Sequence, residues 1–247
     1  MVAALCERLG VAHAVLPVAV ADGNLQAEAR AARYAALAGW MSARGLGALA
    51  TAHHADDQAE TLLMRLNRGS GVAGLAGVRA RGEVPGTHLP LLRPLLNWRR
   101  TELGQVVANA AVVAATDPSN SDERFDRVRI RQALTGADWL DTMALAQSAG
   151  HLADADAAVD WAARREWAEQ VEKVGLGLTY RPTAPRAVAL RVLARIVTDL
   201  GGEEPRGSAV SRLFDSLAAG QAASIGNLVA RALPGGWSFT RAPERRR

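Results

Sequence analysis

Ala48-Leu49-Ala50-Thr51-Ala52-His53-His54-Ala55-Asp56-Asp57-Gln58-Ala59-Glu60-Thr61 divides in two at its histidines. The small and apolar run before them reads as a buried strand, and Asp56 or Asp57 opens a helix. In open α/β sheets, ligands bind in the crevice beyond the carboxyl ends of the strands. Here that address carries two imidazoles, two adjacent carboxylates and Glu60, which lies one turn past Asp57 on the same helix face. Asp57-Gln58-Ala59-Glu60 also has the spacing of a capping box, in which acids satisfy free backbone N–H groups. Capping accounts for Asp57 and Glu60 but not for the His53-His54 pair or Asp56, so the stretch is read as a functional site.

Working outward, residues 2–9 look like the tail of an amphipathic helix stopped by Gly10, and His13–Val20 follows as a strand. Residues 25–44 form an Ala/Arg-rich helix ended by Gly45, and residues 57–67 a helix closed by Arg68-Gly69-Ser70-Gly71. Alternating helices and strands predict a parallel sheet with right-handed crossovers. The glycine-rich run 69–77 follows a helix, whereas a phosphate loop leads from a strand into a helix N-terminus; it reads as a flexible loop or a plain connection. The prolines of His88–Leu95 argue against a fully paired central strand there. Residues 98–110 are predicted as a helix and 111–115 as a last strand, which delivers the turn formers Thr116–Asn120. Arg127, Arg129 and Arg131 then alternate with Val128 and Ile130. Extended, the three guanidiniums line one face; helical, Arg127 and Arg131 still share one. Either arrangement grips phosphate.

Beyond about residue 133 helical patterns dominate, at 138–173, 185–200 and 208–219, with a hairpin across 223–241. Leu190, Leu193, Ile196, Val197 and Leu200 make an apolar stripe suited to a bundle. Trp161 and Trp167 are expected in the core. The expected organisation is an α/β domain over 1–132 and a smaller, mainly helical domain over 133–247.

The 247 residues, 49% hydrophobic, suffice for one large or two modest cores. One cysteine, Cys6, excludes a disulfide framework or a CxxC site within the chain. No apolar run approaches the roughly 20 residues of a membrane span, and the start is charged too early for a signal peptide. A cytoplasmic, non-membrane protein is the expectation. All but one of the 29 basic residues are arginine, Lys173 being the exception. Guanidinium stays charged at every working pH and binds phosphate as a fork.

His53-His54-x-Asp56-Asp57-x-x-Glu60-Thr61, Arg68-Gly69-Ser70-Gly71, Gly74-Leu75-Ala76-Gly77, Arg93-Pro94-Leu95, and Asp117-Pro118-Ser119-Asn120 with Arg127-x-Arg129-x-Arg131 together resemble the tRNA(Ile)-lysidine synthases of the PP-loop ATP pyrophosphatase superfamily. The resemblance implies an N-terminally incomplete, parallel Rossmann-like sheet of the PP-loop type. It also implies a reaction: Mg-ATP adenylates C2 of the wobble cytidine of tRNA(Ile) with a CAU anticodon, and free L-lysine displaces AMP to leave lysidine. On that basis Asp57 and Glu60 are the catalytic candidates, holding Mg2+ or receiving the lysine amine. His53, His54, Asp56 and Arg68 are candidates for the nucleotide, and Asn120, Arg127, Arg129 and Arg131 for tRNA or triphosphate. The family's Ser-Gly-Gly-x-Asp-Ser loop and its flanking strands are not among the 247 residues, which implies impaired adenylation by the chain as given. The alternative is a non-catalytic tRNA-binding remnant. A thiolation enzyme of the same superfamily would need cysteines this chain lacks. The sequence leaves the oligomeric state open, a homodimer included.

Overall fold

The computed structural model describes residues 2–20, 25–115, 122–202 and 204–242, and the chain divides into two compact units, 1–151 and 152–247. Asn120 and the 116–121 turn lie outside the described residues.

The first unit runs α1 (Val2–Arg8), α2 (Leu25–Arg44), β1 (Leu49–Ala50), α3 (Ala55–Leu66), α4 (Val72–Leu75), β2 (Arg81–Glu83), β3 (Pro90–Leu92), α5 (Arg100–Asn109) and α6 (Asp126–Thr135), and holds the start of α7 (Thr142–Gln170). Its sheet has the order β1-β3-β2, with β1 and β3 parallel and β2 antiparallel to β3. The α/β character is as expected, but the sheet is small and mixed rather than parallel throughout. Tyr34 and Ala38 of α2 pack with Val84 and Leu91 over it.

Three readings need correction. Residues 11–20 form no strand and are mostly exposed; apolar alternation specifies a face but needs a neighbouring ladder to become a strand. Residues 111–115 are also irregular, and Ala111 opens them at a φ of 53°. Conversely, β3 is central and paired on both sides. Pro90 is its first residue, where a missing N–H is tolerated, and Pro94 falls beyond its end.

In α3, Ala55, Ala59 and Leu62 recur on one buried stripe. Its N-cap is His54, whose backbone N–H donates to Asp57 Oδ2 at 3.0 Å. The box therefore sits one turn earlier than the sequence spacing suggested, and Glu60 is a mid-helix residue rather than a cap.

The second unit is mixed α/β rather than mainly helical. The end of α7 leads into β4 (Val171–Val174) and β5 (Gly177–Tyr180), then α8 (Arg186–Gly201), α9 (Gly207–Ala218), β6 (Ala223–Ile225), β7 (Leu228–Leu233) and β8 (Gly236–Arg241). The strands make one antiparallel sheet ordered β4-β5-β8-β7-β6. The expected helix over 138–173 starts instead at Thr142, with Met143 and Ala144 donating backbone N–H bonds to Asp141 Oδ1. It stops before Val171, where the chain turns into the β4–β5 hairpin about Gly175 at a φ of 60°. Val188, Ala189, Val192, Leu193, Ile196 and Val197 bury one face of α8 against Leu213, Leu217, Trp237 and Phe239. Tyr180 and Phe214 meet the Trp237 ring edge-on, centroids 5.7 and 5.4 Å away. Trp167 packs on this core, whereas Trp161 is exposed.

Truncating fully buried Phe239 to alanine is expected to cost about 3–5 kcal/mol in chemical denaturation. Leu176→Ala, at a side chain 96% exposed, is expected to stay within about 0.5 kcal/mol.

Candidate functional site

The first unit's site is built where β1 and β3 end. Thr51 N–H donates to Leu92 O at 2.9 Å, extending the parallel pairing by one rung, and the chain then enters His53, His54 and α3.

Glu60 is the most deeply placed charged group here, its side chain 2% exposed. Arg131 Nε donates to Glu60 Oε1 at 2.6 Å and Arg131 Nη2 to Oε2 at 3.3 Å; Arg127 Nε lies 3.3 Å from Oε2. Arg127 also donates to the Thr61 hydroxyl at 3.2 Å. The helical alternative thus holds for the arginine row, and its two same-face members converge on one carboxylate. Arg129 turns away to pair with Asp126, which also receives Arg68 at 2.8 Å. Arg68 and Arg129 therefore form a separate, exposed cluster.

Asp56 accepts the Arg100 backbone N–H at 2.7 Å and the Arg99 guanidinium at 3.3 and 3.4 Å, clamping α3 to the start of α5. Burial acts to raise its pKa, but the Arg100 N–H and Arg99 guanidinium outweigh that and hold the carboxyl below its ordinary range. Asp57 gives Oδ2 to the His54 N–H, and His54 Nε2 lies 3.6 Å from the same oxygen.

His53 Nδ1 lies 2.9 Å from the Thr51 hydroxyl. Burial pushes its pKa below the ordinary value; Asp57 opposes the shift, while Arg93, Arg30 and Arg127 add to it.

A cavity of about 630 Å³ opens beside the acids, lined among others by Asp56, Glu60, Arg99, Arg131 and Trp139. Trp139 is 78% exposed, presenting a flat indole. Sequence reasoning passed over Trp139, Arg99 and Arg100 because none carries a periodic or spacing signal. It also passed over Gln58, whose amide clamps the Val78 backbone with two 2.8 Å bonds, N–H to carbonyl in each direction. Gly77 holds a φ of 62° at that clamp, and a Cβ there would collide with Gln58 Oε1.

The Asp57–Glu60 pair does not fit magnesium. Both Glu60 oxygens take guanidinium donors and one Asp57 oxygen takes a backbone N–H. Among the described residues, no three His, Cys, Asp or Glu side chains converge as ligands.

A family model described as a PP-loop domain matches residues 1–137. Over 250 aligned residues the chain is 49% identical to a tRNA(Ile)-lysidine synthase of Novosphingobium aromaticivorans, covering all of this chain and 76% of that one. A tRNA(Ile)-lysidine synthase of Zymomonas mobilis is 39% identical with the same coverage of each chain. One from Ruegeria pomeroyi is 37% identical over 92% of this chain and 56% of its own.

The chain belongs to the tRNA(Ile)-lysidine synthase family.

Membership classes it among PP-loop ATP-dependent ligases. Among the described residues no helix is long and apolar enough to cross a membrane.

The His53 shift carries a sign. Its folded pKa lies below the unfolded 6.5, so the unfolded chain binds the proton first as pH falls. Stability is full above about pH 6.5 and declines as pH drops toward the folded value. His53→Gln is expected to flatten that part of a denaturation-versus-pH profile; an unchanged slope would contradict the assignment.

Proposed function

We propose that this chain ligates free L-lysine to C2 of the wobble cytidine in tRNA(Ile) with a CAU anticodon, at the expense of ATP. The observation that carries the reading is the buried Glu60 carboxylate, which lines the 630 Å³ cavity together with its partner Arg131 and is also paired with Arg127, in a chain related to lysidine synthases along its whole length. A ligand pocket runs to roughly 300–1,000 Å³, so the cavity has room for a nucleobase.

The reaction follows in two displacements. O2 of cytidine attacks the α-phosphorus of ATP and pyrophosphate leaves. The neutral lysine amine then attacks C2 and AMP departs with the electron pair of the C2–O bond, while the amine's proton passes to a base. An unpaired base must be splayed out for this, and the exposed Trp139 face suits stacking it. Arg131 and Arg127 are suited to the phosphate charge that builds as each leaving group departs. The two acids take different parts. Glu60, committed to guanidinium donors, fixes the arginines. Asp57 Oδ1 takes no hydrogen bond from the described residues, and we give it the role of receiving the lysine ammonium and its proton. His53 and His54 line the approach from β1.

The test is incorporation of labelled lysine into a tRNA(Ile) transcript by the full chain. Label transfer requiring ATP, and lowered about 100-fold or more by Arg131→Met, is expected. Asp57→Asn is expected to depress turnover most at low pH, where less of the amine is free. Tight tRNA binding with steep salt dependence and no lysine transfer would overturn the ligase reading in favour of a binding remnant.

A further inference from the structure

The 630 Å³ cavity holds more charge than the Glu60–Arg131 pair. Asp56 and Arg99, also in its wall, close a second pair. Asp141 lines it too and gives Oδ1 to the Met143 and Ala144 N–H groups that open α7. Two charged side chains remain, Asp138 and Arg100. Neither meets a hydrogen-bond or ion-pair partner among the described residues.

Both are fixed at their backbones. Arg100 opens α5, and Asp56 Oδ2 accepts its N–H at 2.7 Å. Asp138 and Trp139 are the two central residues of a turn between α6 and α7, closed by the Leu140 N–H donating to Ala137 O at 3.1 Å. Asp138 is therefore the chain neighbour of the exposed indole, and all three side chains line one opening. A flat aromatic face with an acceptor and a donor around the same opening suits a planar heterocycle. The ring stacks, and its edge makes the hydrogen bonds.

The polarity of the two groups selects among pyrimidines. A carboxylate only accepts and a guanidinium only donates. The Watson–Crick edge of cytosine offers a donor at the N4 amine and an acceptor at N3, so Asp138 matches the first and Arg100 the second. Uracil inverts both, setting its O4 against the carboxylate and its N3–H against the guanidinium. Adenine shares the amine and acceptor but lacks the O2 atom on which the reaction depends.

We propose that Asp138 and Arg100 are specificity-determining residues that read N4 and N3 of the target cytosine while its ring stacks on Trp139. The assignment rests on the ligase reading for the identity of the base.

The test measures equilibrium binding of anticodon stem-loop RNAs to the full chain as wild type, Asp138→Ala, Asp138→Asn, Arg100→Met and Trp139→Ala. The wobble position carries cytidine, uridine, zebularine (cytidine without its N4 amine) or 3-deazacytidine (cytidine without its N3 acceptor). Wild type is expected to lose about 10-fold in affinity with zebularine and with 3-deazacytidine, and more with uridine. Asp138→Ala is expected to bind cytidine and zebularine alike, and Arg100→Met to bind cytidine and 3-deazacytidine alike. Asp138→Asn, whose amide both accepts and donates, is expected to narrow the preference for cytidine over uridine. Trp139→Ala is expected to weaken all four RNAs by a similar factor. Three results would overturn the proposal: no discrimination among the four RNAs by wild type, a zebularine penalty that persists in Asp138→Ala, or a 3-deazacytidine penalty that persists in Arg100→Met. A raised KM for L-lysine in these variants, with base discrimination intact, would place the amino acid at the pair instead and overturn it as well. Lysine transfer to tRNA(Ile) by the wild type is measured in parallel. Base discrimination of the expected pattern without transfer leaves the pocket assignment standing and removes the ligase reading; transfer without Asp138-dependent discrimination does the reverse.

Discussion

The first unit turns on one desolvated carboxylate. Glu60 rides the same helix as Ala55, Ala59 and Leu62 and is buried with them, so its charge must be met from outside the helix. Arg131 and Arg127, one turn apart on α6, meet it. Breaking such a pair costs several kcal/mol because a buried charge is left alone, even though forming it gains little over an apolar contact. Its value is therefore positional. It fixes α6 against α3 and holds the Arg131 guanidinium at the wall of the cavity.

The neighbouring acids divide the rest of the work. Asp56 is used up binding the Arg99 guanidinium and the Arg100 N–H, which ties α5 to α3. Asp57 closes the helix N-terminus with one oxygen and keeps the other. Negative charge at the site is thus mostly neutralised by the scaffold. What the site offers a ligand is mostly positive: Arg93, which pairs with no carboxylate among the described residues, and Arg127, which is partly exposed. A cleft of this character attracts polyanionic substrates and concentrates them before any chemistry begins.

Much of this arrangement was legible in the residues. The helix over 25–44 and the placement of His53 and His54 between a strand and a helix follow from short-range patterns, and those patterns act locally. Tertiary choices were less readable. His13–Val20 has a strand's composition but pairs with no strand among the described residues, while Pro90 suggests an edge and stands at the head of a central strand. Val171–Lys173 carries the pattern of a helix's tail, although Gly175 and Gly177 mark a hairpin just beyond it. Glu60 looked like a cap or a metal ligand because sequence spacing cannot report that Arg131, 71 positions away, would claim both its oxygens. Arg93 stands in a recognisable motif, yet that it meets no carboxylate among the described residues is a property only the folded chain has.

A double-mutant cycle on Glu60→Gln and Arg131→Met, read by equilibrium denaturation, tests the central claim most directly. The account predicts a coupling energy of about 2 kcal/mol or more, each single change costing much of what the pair costs together. Additivity within about 0.5 kcal/mol would mean that the two residues do not depend on each other, and the positional role given to Glu60 would be wrong.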